Sequence, residues 1–119
     1  MIHGDSKALF RAYVAIWQSG KVDDLPSVLH ARYLGHPLTG DRDGAGLRER
    51  ILAFRRTYAN VHFRVEDQLM ERDRVATRLS ATATRTSDGR LVTLHGLNIC
   101  RLSDDLIIEE WMNWEVQPT

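Results

Sequence analysis

The chain has 119 residues, 43% hydrophobic and 27% charged, an ordinary globular composition for one domain and too apolar for disorder. Sixteen Lys and Arg balance sixteen Asp and Glu, so the formal net charge is zero with histidine neutral and no global field draws in nucleic acid or an anionic membrane. The single cysteine, Cys100, excludes an internal disulfide framework; with no leader-like start at Met1–Lys7 and no long apolar run, a soluble cytoplasmic domain over 1–119 is expected.

Leu9, Phe10, Tyr13, Val14, Ile16 and Trp17 recur at the spacing of one helix face. Asp5 or Ser6 can cap its start, and Ser19-Gly20 ends it with a residue tolerant of positive φ. A second, shorter helix is expected from Asp24 to His30, with Pro26 in its first turn. Gly35-His36-Pro37-Leu38-Thr39-Gly40-Asp41 reads as an irregular loop beside a short extended segment. Leu47, Ile51, Phe54 and Tyr58 then mark a third helix, leaving Arg48, Arg50, Arg55 and Arg56 on a solvated face.

From Val61 the period changes to two. Val61, Phe63, Val65 and Leu69 alternate with polar residues, and Val75-x-Thr77-x-Leu79-x-Ala81-x-Ala83 follows a turn at Arg72-Asp73. Asp88-Gly89 predicts a type I′ hairpin turn. Strands are expected at Leu91–Leu102 and Ile107–Val116, joined at Ser103-Asp104-Asp105. Helices followed by an antiparallel meander predict an α+β layer, with three helices on one face of a curved sheet.

Small side chains argue for a hollow. Ala81 and Ala83 follow Leu79 on one inward register, and Gly96 lies between Leu94 and Asn98 on the next, where a filled core would place large aliphatics. Tyr13, Trp17, Trp111 and Trp114 supply bulky walls. The expected lining is Trp17, Phe54, Leu79, Ala81, Ala83, Gly96, Glu110, Met112 and Trp114; the plainer reading is that the aromatics fill the space above the small residues. The opposite face carries Thr93, His95, Leu97, Ile99 and Trp111, an apolar patch that predicts a homodimer through the sheet.

Three strings carry a resemblance over almost the whole chain. They are Tyr13-Val14-Ala15-Ile16-Trp17-Gln18-Ser19-Gly20, Gly35-His36-Pro37, and Arg101-Leu102-Ser103-Asp104-Asp105-Leu106-Ile107-Ile108-Glu109-Glu110-Trp111. The chain resembles the nuclear transport factor 2-like superfamily, in its SnoaL-like polyketide cyclase and ketosteroid isomerase branches. The resemblance implies a cone-shaped α+β fold enclosing a pocket. In the isomerase pattern, the oxygen-donating helix tyrosine falls on Tyr13, the carboxylate before a proline falls on His36, and the second donor falls on Asn98. The cyclase branch's acid–base aspartate, directly after the last-strand tryptophan, is Met112 here, so that chemistry does not transfer unchanged.

Abstraction of a proton beside a carbonyl needs a base at the carbon and donors at the oxygen. His36 is the expected base, with an ordinary pKa near neutrality, and Tyr13 and Asn98 are the expected donors. Each has a plainer structural reading: a hydrogen-bonded core tyrosine, a loop histidine on backbone, an asparagine satisfied within the core. Glu110 shares its strand face with Met112 and Trp114 by alternation and can replace the missing aspartate. The favoured expectation is instead that it reaches solvent or pairs with an arginine, and a β-bulge would reverse its facing.

The histidines His3, His30, His36, His62 and His95 show no metal-ligand spacing. No phosphate-binding loop follows a strand, and Cys100 reads as a small buried residue. The expectation is an enzyme without cofactor or metal, with neither nucleic acid nor membrane as partner. It isomerises, cyclises or dehydrates a small hydrophobic carbonyl compound through an enolate. The rival is a ligand-binding module of the same fold without turnover.

Overall fold

The computed structural model describes residues 5–118, the side chain of Pro118 excepted; His3 and the leader reading of the first residues lie outside them. Helix α1 spans Ser6–Ser19 and buries Phe10, Tyr13, Val14 and Ile16. Asp5 occupies its N-cap without a capping side-chain bond, and Gly20 closes it at φ 78°, its N–H reaching the Ile16 carbonyl. Helix α2 spans Gly44–Thr57; Asp43 caps it through a 2.9 Å bond from the Gly46 N–H, and Leu47, Ile51 and Phe54 face the core.

The expected helix over Asp24–His30 is a 3₁₀ turn at Val22–Ser27, so two α-helices and this turn replace the three helices. From Leu29 the chain is extended. Strands β1 (Leu29–His36), β2 (Arg42–Asp43), β3 (Tyr58–Glu71), β4 (Arg74–Arg85), β5 (Leu91–Ser103) and β6 (Leu106–Pro118) form one sheet in the order β2-β1-β6-β5-β4-β3. The sheet is mixed, because β1 runs parallel to β6 while the other neighbours are antiparallel. Strand β1 is hard to read in sequence because only Leu29, Tyr33 and Gly35 of it point inward and its register against β6 shifts. Tyr58 opens β3 rather than closing α2, yet its ring still packs on Phe54 at 5.2 Å.

Positive φ falls on Asp104 (54°) and Asp105 (60°) between β5 and β6, and among residues 86–90 on Gly89 alone (72°). The two-residue turn with left-handed backbone at both central positions is therefore Asp104-Asp105, not Asp88-Gly89. The longer β4–β5 loop closes through Gly89 N–H to the Arg85 carbonyl and Arg85 N–H to the Arg90 carbonyl, both 2.8 Å.

Two hydrophobic clusters stand on the inner face. The larger joins α1, α2 and β1 to Val75, Leu79, Cys100 and Ile107. The smaller joins Phe54 and Val61 to Ala81, Ala83, Val92 and Leu94. Among the described residues no helix is long and apolar enough to cross a membrane. The architecture is an α+β cone with helices on the inner face of a six-stranded sheet.

Candidate functional site

A cavity of about 330 Å³ lies between the helices and the inner sheet face. Its walls include Trp17, Phe54 and Phe63 on one side, Leu94, Met112 and Trp114 on the other, with Pro37, Leu38 and Thr39 at its rim. Behind it is a niche of about 20 Å³ bordered by Tyr13, Leu79, Asn98 and Glu110. The two spaces share Trp17, Arg42, Phe63, Met112 and Trp114 as lining. A niche that size holds one water or one substrate oxygen.

Glu110 is the centre of the niche. It is 2% exposed. Tyr13 donates its hydroxyl to Oε1 at 2.9 Å, Tyr33 donates to the same oxygen, and the Asn98 amide donates to Oε2 at 2.6 Å. Burial pushes the carboxyl's pKa above its ordinary value, against the lowering pull of Tyr33, Asn98 and Tyr13 and of the nearby Arg42 charge. Neutral donors replace only part of the hydration a buried carboxylate loses. Burial, then the Glu110 charge, raises the pKa of both phenols, so Tyr13 and Tyr33 stay protonated and remain donors.

Local geometry explains why Glu110 faces inward. Leu102 pairs with Ile107 and Arg101 with Glu109, so Ile108 is an extra residue in β6. This bulge lets Ile107 and Glu110 both point into the core despite their odd spacing. The expectation that Glu110 reaches solvent or an arginine pair is thereby overturned; three neutral donors hold it inside. Tyr33 approaches it over Gly35, where a Cβ would stand 2.5 Å from the phenol oxygen. Only glycine leaves that path open.

Tyr13 and Asn98 therefore meet, as expected from the sequence, but His36 does not join them. Its ring lies on the outer face, Nδ1 2.9 Å from Asp41 Oδ1 and Nε2 2.8 Å from Glu109 Oε2, stacked on Trp111 at 5.3 Å. Those two carboxylates raise its pKa, their hydrogen bonds contributing most. Glu109, also held by Arg101 at 3.0 Å, has its pKa lowered, first by His36. Strand alternation is the reason: His36 follows inward-facing Gly35, and Glu109 precedes inward-facing Glu110.

Of the expected lining, Trp17, Phe54, Met112 and Trp114 border the cavity, and Leu79 and Glu110 border the niche. Ala81 and Ala83 border neither, because Phe54, Tyr58 and Phe63 pack over them. Gly96 is likewise covered by the Trp114 indole: a Cβ there would lie 2.7 Å from three of its ring atoms. Trp111 belongs to the outer face, where the Arg74 guanidinium lies 5.3 Å from its ring centre. Tyr33 and Arg42 were missed. Tyr33-x-Gly35 is their readable signal, an aromatic beside a glycine on one face, visible only once Leu29–His36 is taken as a strand. Among the described residues no group of three or more His, Cys, Asp and Glu is placed to hold a metal ion.

Comparison with known proteins places this geometry. TsrD of Streptomyces laurentii superposes with a TM-score of 0.86 at 18% identity, over 97% of this chain and 91% of that one. IdmH of Streptomyces antibioticus, a candidate polyketide cyclase, gives 0.85 at 20% identity over 92% and 91%. A candidate polyketide cyclase of Bacillus cereus gives 0.81 at 28% identity, covering 90% of this chain and 72% of that one. No curated protein matches the sequence significantly. The profile of SnoaL-like polyketide cyclases matches residues 7–119, and the chain belongs to that family.

Proposed function

We propose that the chain is a cofactor-independent cyclase or isomerase of a small hydrophobic carbonyl compound, with Glu110 as its acid–base group. The observation that carries this reading is a buried carboxyl, held by neutral donors, behind an apolar cavity. Burial moves the carboxyl's pKa upward, the direction that suits a group which both accepts and returns a proton. Asn98 borders the same niche, and its amide has a second N–H beyond the one it gives Glu110 to donate to an oxygen on which charge develops, while Tyr13 spends its single proton on holding Glu110. Glu110 thus takes the part that Met112 lacks the chemistry to play. The family and the candidate cyclase activities of the Bacillus protein and IdmH support this reaction class.

The test is a thermal-shift screen of carbonyl compounds followed by turnover measurements on the hits. Glu110→Gln is expected to lower kcat by about 10²–10⁴-fold while the hits still raise its Tm. Wild-type turnover by Glu110→Gln overturns the assignment. Hits that bind but are never converted favour the alternative of a non-catalytic binding module.

We further propose that the outer sheet face pairs with a second copy of the chain. Leu69, Leu97 and Ile99 are 74%, 61% and 45% exposed there, around Trp111. An apolar patch of this kind is uncommon on a monomer. Sedimentation is expected to show a dimer that Leu97→Glu dissociates; a monomeric wild-type protein refutes the pairing.

A further inference from the structure

Two arginines, Arg42 and Arg50, line the main cavity, and among the described residues no Asp or Glu does. Arg42 alone of the two also borders the Glu110 niche. Its Nε is buried and has no hydrogen-bond partner among the described residues. Several arginines elsewhere are paired with carboxylates, among them Arg48 with Asp23, Arg78 with Asp67, Arg85 with Asp88 and Arg101 with Glu109. A buried charged donor without an acceptor is costly, and the cost disappears when a ligand supplies the acceptor.

Arg42 is also held in place. Its Cβ stands 3.0 Å from where a side chain at Gly46 would begin, and its Cγ 3.6 Å from where one at Gly35 would begin. The first turn of α2 and strand β1 therefore leave a slot that the arginine stem occupies. The stem is packed, the Nε is buried and the residue lines the cavity, the arrangement of a recognition arginine rather than a solvated one. The acidic group bordering the same niche is Glu110, but its oxygens take their hydrogen bonds from Tyr13, Tyr33 and Asn98 and none from Arg42.

We propose that Arg42 binds an anionic oxygen group of the substrate, so that the substrate is a hydrophobic carbonyl compound that also carries a carboxylate or its equivalent. This rests on the cavity being the ligand site, as proposed above, but not on Glu110 performing the chemistry. The planar guanidinium matches a carboxylate through paired hydrogen bonds, which an amide of the same shape does not reproduce. The anion then stands beside the niche and fixes which substrate carbon faces Glu110.

Quenching of Trp17 and Trp114 fluorescence by 2-naphthoate and by 2-naphthamide tests this without any turnover. The wild-type protein is expected to bind the carboxylate about tenfold or more tighter than the amide at low salt. Arg42→Gln is expected to abolish the preference, Arg42→Lys to retain part of it while unfolding cooperatively, and Arg50→Gln to leave it intact. Equal wild-type affinities, a preference that survives Arg42→Gln, or no saturable binding of naphthoate overturns the proposal. Glu110→Gln should still prefer naphthoate, so loss of the acid–base role and loss of the anion site are separate results.

Discussion

Replacing Glu110 by glutamine separates burial from hydrogen bonding as the force that sets the carboxyl's pKa. Glu110 is 2% exposed, and burial raises its pKa above the ordinary 4.5 despite three donors. An acid with a higher pKa folded than unfolded holds its proton more tightly in the native state. Between the two pKa values the native protein binds more protons than the unfolded chain, so stability falls as pH rises through that window. One proton is at stake, so the slope reaches at most about 1.4 kcal/mol per pH unit and flattens above the folded pKa. Glutamine has no such titration. It presents one acceptor oxygen to Tyr13, Tyr33 and Asn98, which adds an offset of about 1–3 kcal/mol independent of pH. Urea unfolding followed by tryptophan fluorescence, from acid to neutral pH, gives the wild-type stability minus that of Glu110→Gln. Subtraction removes His36 and Glu109, which titrate in both proteins. The difference is expected to fall with rising pH above about 4.5. A flat difference, or one that grows with pH, would falsify the dominance of burial.

Tyr33→Phe removes a donor that holds the Glu110 pKa down, so the fall in stability is expected to extend to higher pH; Gly35→Ala, whose methyl displaces the same phenol, should reproduce it in the same unfolding series. Gly96→Ala drives a methyl against the Trp114 ring, at a cost of about 1–3 kcal/mol, and thermal melts together with a shifted tryptophan emission check it. His36 has a raised pKa, so its pairing with Asp41 and Glu109 stabilises the fold at pH below the ordinary 6.5 and fades as pH climbs through the folded value. His36→Ala is expected to lose up to about 1 kcal/mol at about pH 5.5, where the histidine and both carboxylates are charged, and less in alkali where the histidine is neutral, read from urea midpoints at the two pH values. Burial pushes the Cys100 thiol up to about 12, so a thiol reagent should label it only at the rate of unfolding, followed by mass.

Much of the molecule was legible from pattern. The period-two stretches after Val61 become β3 to β6, because one wet and one dry face impose alternation. Leu69 is the exception, carried to the outer face by the register shift between Val65 and Asp67 and 74% exposed there. Helix α1 was legible for the same reason at a period of 3.6, and Gly20 ends it as a left-handed cap. Strand β1 was not. Its neighbour is β6, more than seventy residues away in the chain, and a strand whose register slips against such a partner has no local signature. With β1 unread, Tyr33, Gly35 and Arg42 had no place in the site.

The sequence by itself determined the class of fold, the existence of an inward face carrying Tyr13 and Asn98, and the absence of an aspartate after Trp111. These follow from residue type and periodicity, which are properties of short stretches. Only tertiary structure decided which acidic group lies inside. One extra residue at Ile108 turns Glu110 inward, and the parallel pairing of β1 brings Tyr33 to it while carrying His36 to the other side. A strand shows its neighbouring residues to opposite faces, so a bulge of one residue, invisible in composition, decides whether a carboxyl meets water or a cavity.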